Sequence, residues 1–310
     1  NQTPENYSLI KKSELKQDKH EEEEYKLYEL INWFINPQLY WLNRKNIYPI
    51  TKFTNHENDE LISNYQKYRL MHSLIKRIDL EKKDMIAKIR KINIPEALIE
   101  NAIIAPKNSI YMKEDELKEL IKSLTDNLEN LGPIKREYVK SSSNKDEYLI
   151  ANNYVIELLH SNFNRSRISE SWIRLLFLAA SGKEISKSKI IYRTDNTYKS
   201  QILNSPGHSS SKRILLDYVK TFHNNSSDCF PIPPESSFKY VKALVKNKDA
   251  EKAFLESWIG NENFSKGERD KEEMKICFGK DKSPDFFLDN PSLIDLSKKL
   301  YKPIIDAFED

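Results

Sequence analysis

The change of hydrophobic period at Gly132-Pro133 constrains this chain more than any other feature. Before that point apolar residues recur at helical spacing. Leu27, Leu30, Ile31 and Phe34 fall at i, i+3, i+4 and i+7 and make one apolar face. After it, "IKREYVKS", "EYLIANNYVIELLHSNF" and "SKIIYRT" favour β-branched and aromatic residues and read as strands. Helical stretches follow them: "SESWIRLLFLAASG", entered at Ser169 or Ser171 and ended by Gly182, then "SSSKRILLDYVKTFH" with Ser caps. A Pro-rich approach then leads into a helix capped by Ser236 or Ser237. Three further helices are expected at about 249–258, 270–278 and 292–308. A helical first part followed by mixed strands and helices predicts an α/β or α+β core with helical additions. The division expected is a loose polar tail over 1–20, a mainly helical part over 21–132 and a core with C-terminal helices over 133–310.

The local punctuation supports this reading. Asn36-Pro37 stops the first helix and starts the next, with Asn as N-cap and Pro at the first helical position. The acidic run "HEEEE" suits the positive end of the first helix. "NDELISNYQKYRLMHSLIKRI" is a second helix carrying Leu61, Tyr65, Tyr68 and Ile75, and another runs from "YMKEDEL" through Leu124. Trp33, Tyr40 and Trp41 are read as packing groups, although aromatics beside Arg44 and Lys45 also suit base stacking.

Several chemistries find no support. "GKEISKS" lacks the first glycine and the spacing of a P-loop. The six histidines form neither an HExxH nor a His–Cys cluster, and no GxSxG elbow is present. Two cysteines, Cys229 and Cys277, have no metal-ligand spacing and read as reduced thiols of a cytoplasmic protein, with a single disulfide as the alternative. No apolar run is long enough to span a membrane. The opening "NQTPENYSL" is no secretory signal and reads as a cut inside a longer protein. A net charge of +3 predicts no strong overall field, so nucleic-acid binding must come from local patches.

A Mg²⁺ nuclease needs carboxylate oxygens held together and a nearby Lys. A strand hairpin supplies them when one strand ends in Asp and the next carries Asp or Glu, then Lys two positions on. In the hairpin expected within residues 147–171, the first strand offers Ile156 where an acid is wanted. The second offers "SRIS", Ser166 to Ser169. Glu157 and Glu170 are the fallback acids, but no Asp/Glu-x-Lys follows. Arg165, Arg167, Arg174, Lys183, Lys187, Lys189 and Arg193 cluster within about thirty positions. They suit a phosphate backbone, and a solvated surface explains them equally well.

Three stretches together resemble the C-terminal region of the RecC family, the gamma subunits of exodeoxyribonuclease V. "LYELINWFINPQLYWLNRKNIYP" is similar to the family's "LLxFFxNPxxYFLxxRLGI". "CFPIPPESSFKYV" is similar to "PLPLPxxSxWxY", and "WIGNENFSKGERDKEEMKICFG" to "WxGxxxxxGExxDPYxxLxFG". The similarity extends over most of residues 25–308. Lys45-Asn46-Ile47 departs from the family's Arg-Leu-Gly.

The resemblance implies a core like the PD-(D/E)XK nucleases, a central mixed sheet flanked by helices, that has lost its catalytic residues. Matching "NNYVIELL" to the pattern Gly-x-hydrophobic-Asp-x-hydrophobic puts Ile156 at the acid position. The implied role is non-catalytic: holding RecB-like and RecD-like subunits together and guiding double-stranded DNA ends as they are split. Mg²⁺ and ATP would be used by those partners, and no cofactor by this chain. The competing readings are an active RecB- or AddB-like metal-dependent exonuclease and a stand-alone DNA-binding module.

Overall fold

The structure, a computed structural model, describes residues 26–49, 64–77, 80, 82, 84–94, 96–97, 114–141, 144–261 and 265–309. The polar tail, the acidic run, Leu61 and the start of "YMKEDEL" lie outside them.

Five strands form one mixed sheet in the order β1-β2-β3-β4-β5: Lys135–Ser141, Asn144–Ala151, Tyr154–Leu159, Lys187–Thr194 and Thr197–Asn204. Neighbours are antiparallel except β3 and β4, which run parallel. A parallel pair needs a long crossover. Of the helices, α1 is Leu27–Ile35, α2 Pro37–Arg44, α3 Asn64–Arg77, α4 Met85–Arg90 and α5 Glu114–Leu128. The crossover is α6, Arg165–Ala180. After the sheet come α7 (His208–Asn225), α8 (Pro234–Val245), α9 (Ala250–Ile259), α10 (Glu272–Phe278), α11 (Asp285–Leu288) and α12 (Pro291–Asp306).

Both faces of the sheet are covered, and the two-residue side-chain period sorts them. Val155, Ile190 and Leu203 point into a core shared with α1, α6, α7, α8 and α12. Ile156, Ile191 and Tyr198 point the other way, into a second core built with α3, α4 and α5. Burial on both faces explains why "YVIELL" and "KIIYR" read as near-continuous apolar runs. The helices before Gly132 therefore divide between the two layers. The first aromatic stretch joins the first core. Trp33 is 1% exposed and its ring meets those of Phe222 and Phe230.

The cap at Asn36 forms as expected: its side chain accepts from Leu39 N at 3.1 Å, with Pro37 at the first helical position. Four expectations need correction. "SRIS" is not a strand, because Asn164 caps α6 by accepting from Arg167 N, and residues 166–169 fall in the first turns of that helix. Ser169 and Ser171, the expected entry, are buried within it. The helix expected from Ser caps starts at His208 behind Gly207, which has φ +85°, and α8 starts at Pro234, ahead of Ser236 and Ser237. Strand β5 was not expected, since "TYKSQILN" is half polar. It forms because the two-residue turn Asp195-Asn196 folds it back on β4.

The outer edge of β5 is covered at both ends. At one end Tyr198 N donates to Ser123 Oγ at 2.9 Å, and Asn127 of α5 donates to Tyr198 O at 3.2 Å. At the other, Asn204 N donates to Ala307 O at 2.7 Å and Glu309 N to Ile202 O at 3.2 Å.

Candidate functional site

Strand β3 and helix α6 carry the positions at which acid chemistry was sought. The hairpin is β2–β3, turning at Asn152-Asn153, where Asn152 takes φ +54°. Ile156 thus lies in the second strand of that hairpin, and the chain passes from β3 to α6 with no further strand between. Ile156 is 2% exposed in the apolar layer beneath α3–α5. Glu157 is its chain neighbour and faces the opposite side of the sheet, toward α6. An acid at 157 cannot replace one at 156, because the intervening sheet separates them. On the face of Glu157, two positions on, stands Leu159 where a nuclease would carry Lys.

Glu157 is also neutralised. Arg174 Nε donates to it at 2.9 Å, and Arg174 Nη2 donates to the Glu147 carbonyl at 2.7 Å. The guanidinium lies 4.3 Å from the centre of the Tyr148 ring. Burial pulls the Arg174 pKa down, but Glu157, Tyr148 and Glu170 outweigh it and hold the group above its ordinary value. Glu170 sits one turn earlier on α6 and accepts from Arg167 at 3.0 Å. Both fallback acids are thus held by arginines of the same helix. Among the described residues, no group of three or more His, Cys, Asp or Glu side chains is placed to hold a metal ion.

The seven clustered basic residues do not share one surface. Arg165 and Arg193 are each 5% exposed. Arg165 donates to Glu235 at 3.1 Å and to the carbonyls of Phe34 and Ile35 at the end of α1. Arg193 donates to the His160 and Asp195 carbonyls. Lys189 is half-buried, donates to Asn127 O at 2.8 Å, and has its pKa lowered by burial. Arg174 is committed to Glu157. Arg167, Lys183 and Lys187 reach the surface, paired with Glu170, Glu137 and Glu309. A sequence cluster on a helix, a loop and one strand is split by burial and by the separate ion pairs that its members form.

The stretches that carry the resemblance meet instead. Gln38 donates to the Phe230 and Ile232 carbonyls at 2.7 and 2.9 Å, and Asn36 to Glu273 at 3.0 Å. Glu268 lies in a single 3-10 turn, Glu268–Asp270, and is 3% exposed. Its carboxylate accepts from Glu235 N, Ser236 N and Ser236 Oγ at 2.6–2.9 Å, and so caps α8 from outside the helix. Burial raises its pKa against the pull of Lys271, Ser236 and the two amides. Glu235, in turn, holds Arg165. The Asn-Pro, Pro-rich and Gly-Glu stretches thus form one hydrogen-bonded junction beside the N-terminus of α6. Ser236 and Glu268 lie 32 positions apart, so no local pattern announced their pairing.

A second polar group was also missed. His160 follows β3 directly and is 4% exposed, with Nδ1 2.7 Å from the Tyr198 hydroxyl. Tyr68 and His72 of α3 roof it, with ring centres 6.1 and 6.0 Å away. Burial, then His72 and Arg193, lower the His160 pKa from 6.5 to about 4. Burial raises that of Tyr198. The hydroxyl therefore keeps its proton and the imidazole is neutral, with the direction of their hydrogen bond set by the ring tautomer. Because the folded pKa lies below the unfolded value, stability from this pair is present above pH 6.5 and is lost as pH falls toward 4. Urea unfolding at pH 5 is expected to show about 2 kcal/mol less stability than at pH 7 from this group. That difference should vanish in His160→Gln. If it persists, the proton goes elsewhere.

No family model matches this chain, and no curated protein matches it either.

Proposed function

We propose that this chain is a non-catalytic, PD-(D/E)XK nuclease-like domain of RecC type. It serves subunit assembly and DNA guidance in a helicase–nuclease of the RecBCD kind during double-strand break repair. The observation that carries the reading is the split between positions 156 and 157. The acid position is an isoleucine sealed in one core, and the nearest acid faces the other core under an arginine. A mixed sheet with helices on both faces agrees with the nuclease-like core. The three resembling stretches form one structural junction, which suits motifs kept for architecture. On this reading RecB-like and RecD-like subunits are the partners, duplex DNA ends the substrate of the assembly, and the cytoplasm its location. Mg²⁺ and ATP serve those partners.

The test is digestion of linear duplex DNA by the purified chain with Mg²⁺ or Mn²⁺. No cleavage above a metal-free control is expected. Metal-dependent cleavage that disappears in Glu157→Gln or Glu170→Gln would sink the reading and restore the exonuclease alternative.

A further inference from the structure

Helix α7 lines a surface groove of about 360 Å³, which adjoins a second of about 500 Å³ between α7 and α12. Arg213 and Asp217 line both, so the concavities are continuous. Lys212, Arg213 and Lys220 stand on the α7 wall, and Lys298, Lys299 and Lys302 on the α12 wall. Of the lining residues, six are Lys or Arg and two, Asp217 and Asp306, are acids, so the groove carries 6 − 2 = +4. The whole chain carries only +3. The groove therefore concentrates positive charge that is balanced elsewhere.

The two walls differ in how that charge is held. On α12, Lys298 pairs with Asp295, Lys302 with Asp306, and Lys299 reaches Asp217 at 3.8 Å. Lys212, Arg213 and Lys220 form no ion pair among the described residues. From Lys212 to Lys220 the helix rises about 12 Å. That length matches about three phosphates at the axial spacing of one strand. The lining includes two rings: Tyr218, which is buried with its hydroxyl donating to Leu300 O, and His208, which is exposed. A trough lined mainly by cations, with His208 as its one exposed ring, suits a backbone contact more than base reading.

We propose that the α7–α12 groove is a sequence-independent binding site for the phosphate backbone of a nucleic-acid strand. The site rests on the DNA-guidance reading and deepens it, moving the contact away from the Arg165–Arg193 segment to a surface with available cations.

The test is fluorescence anisotropy of a labelled 20-nucleotide single strand and its duplex with the full chain, between 50 and 200 mM salt. Lys212→Glu/Arg213→Glu/Lys220→Glu is compared with an equal charge change elsewhere, Lys239→Glu/Lys246→Glu/Lys248→Glu. The groove variant is expected to bind about 30-fold more weakly and to lose about one unit of salt slope per contact removed. The second variant should change affinity by less than about threefold. Circular dichroism establishes that both variants are folded. Equal losses in the two variants would reduce the effect to net charge and overturn the site, as would no binding by the unaltered chain. Metal-dependent DNA cleavage would overturn the RecC-type reading while leaving a groove-specific loss intact, so the two failures are distinguishable.

Discussion

An Ile156→Asp variant is expected to lose most of its stability and to gain no nuclease activity. The side chain is 2% exposed between the sheet and the α3–α5 layer, with Ile191 of β4 in the same core. Removing it forfeits about 2 kcal/mol of apolar burial. Burying an unpartnered carboxyl adds roughly 2–3 kcal/mol even when it stays protonated. The sum, about 4–5 kcal/mol, is a large part of the net stability of a single domain. Denaturant unfolding followed by circular dichroism reads the loss, and Ile156→Val, expected to cost about 1 kcal/mol, calibrates the site. A well-folded Ile156→Asp protein that cleaves DNA with Mg²⁺ would mean that position 156 faces an open acid site.

Arg165→Met should cost about 3–4 kcal/mol, because breaking a buried ion pair strands its partners. Glu235 would lose its counter-charge, and the Phe34 and Ile35 carbonyls their donor. For a chain of this size the melting temperature should fall by roughly 5–6 °C. Arg167→Ala, two positions away and exposed beside Glu170, should stay within about 0.5 kcal/mol. The contrast separates two neighbours that the sequence treats alike. Similar small losses in both would mean that Arg165 does not join α1 to α6 and α8.

What the sequence made legible was local. The i, i+3, i+4, i+7 face of α1 became buried as expected, and Asn36-Pro37 capped α2, because both depend on residues within one or two turns. The apolar runs of β3 and β4 marked sheet positions without telling which face each residue took. That choice is set by pairing register, and it separates Ile156 from Glu157. At α6, Asn164 competed with Ser169 and Ser171 for the cap and won, which turned an expected strand into helix. The basic cluster failed as a surface because Arg165 and Arg193 end in the core and the others are held by separate partners. Glu268 was recognisable only as part of a resembling stretch, since its partners come from the turn into α8. The α7–α12 groove needs two helices that are about eighty positions apart.

The covering of β5 has a consequence for assembly. Ser123 and Asn127 occupy the polar groups of Tyr198, and residues 307–309 occupy those of the strand's far end. A foreign strand would have to displace the chain's own segments to extend the sheet there. The opposite margin is β1, where Tyr138 is 60% exposed and Arg136 and Glu137 add charge. Charges of this kind discourage indiscriminate edge-to-edge pairing. A strand that pairs with β1 meets these charges and needs charges of its own that complement them.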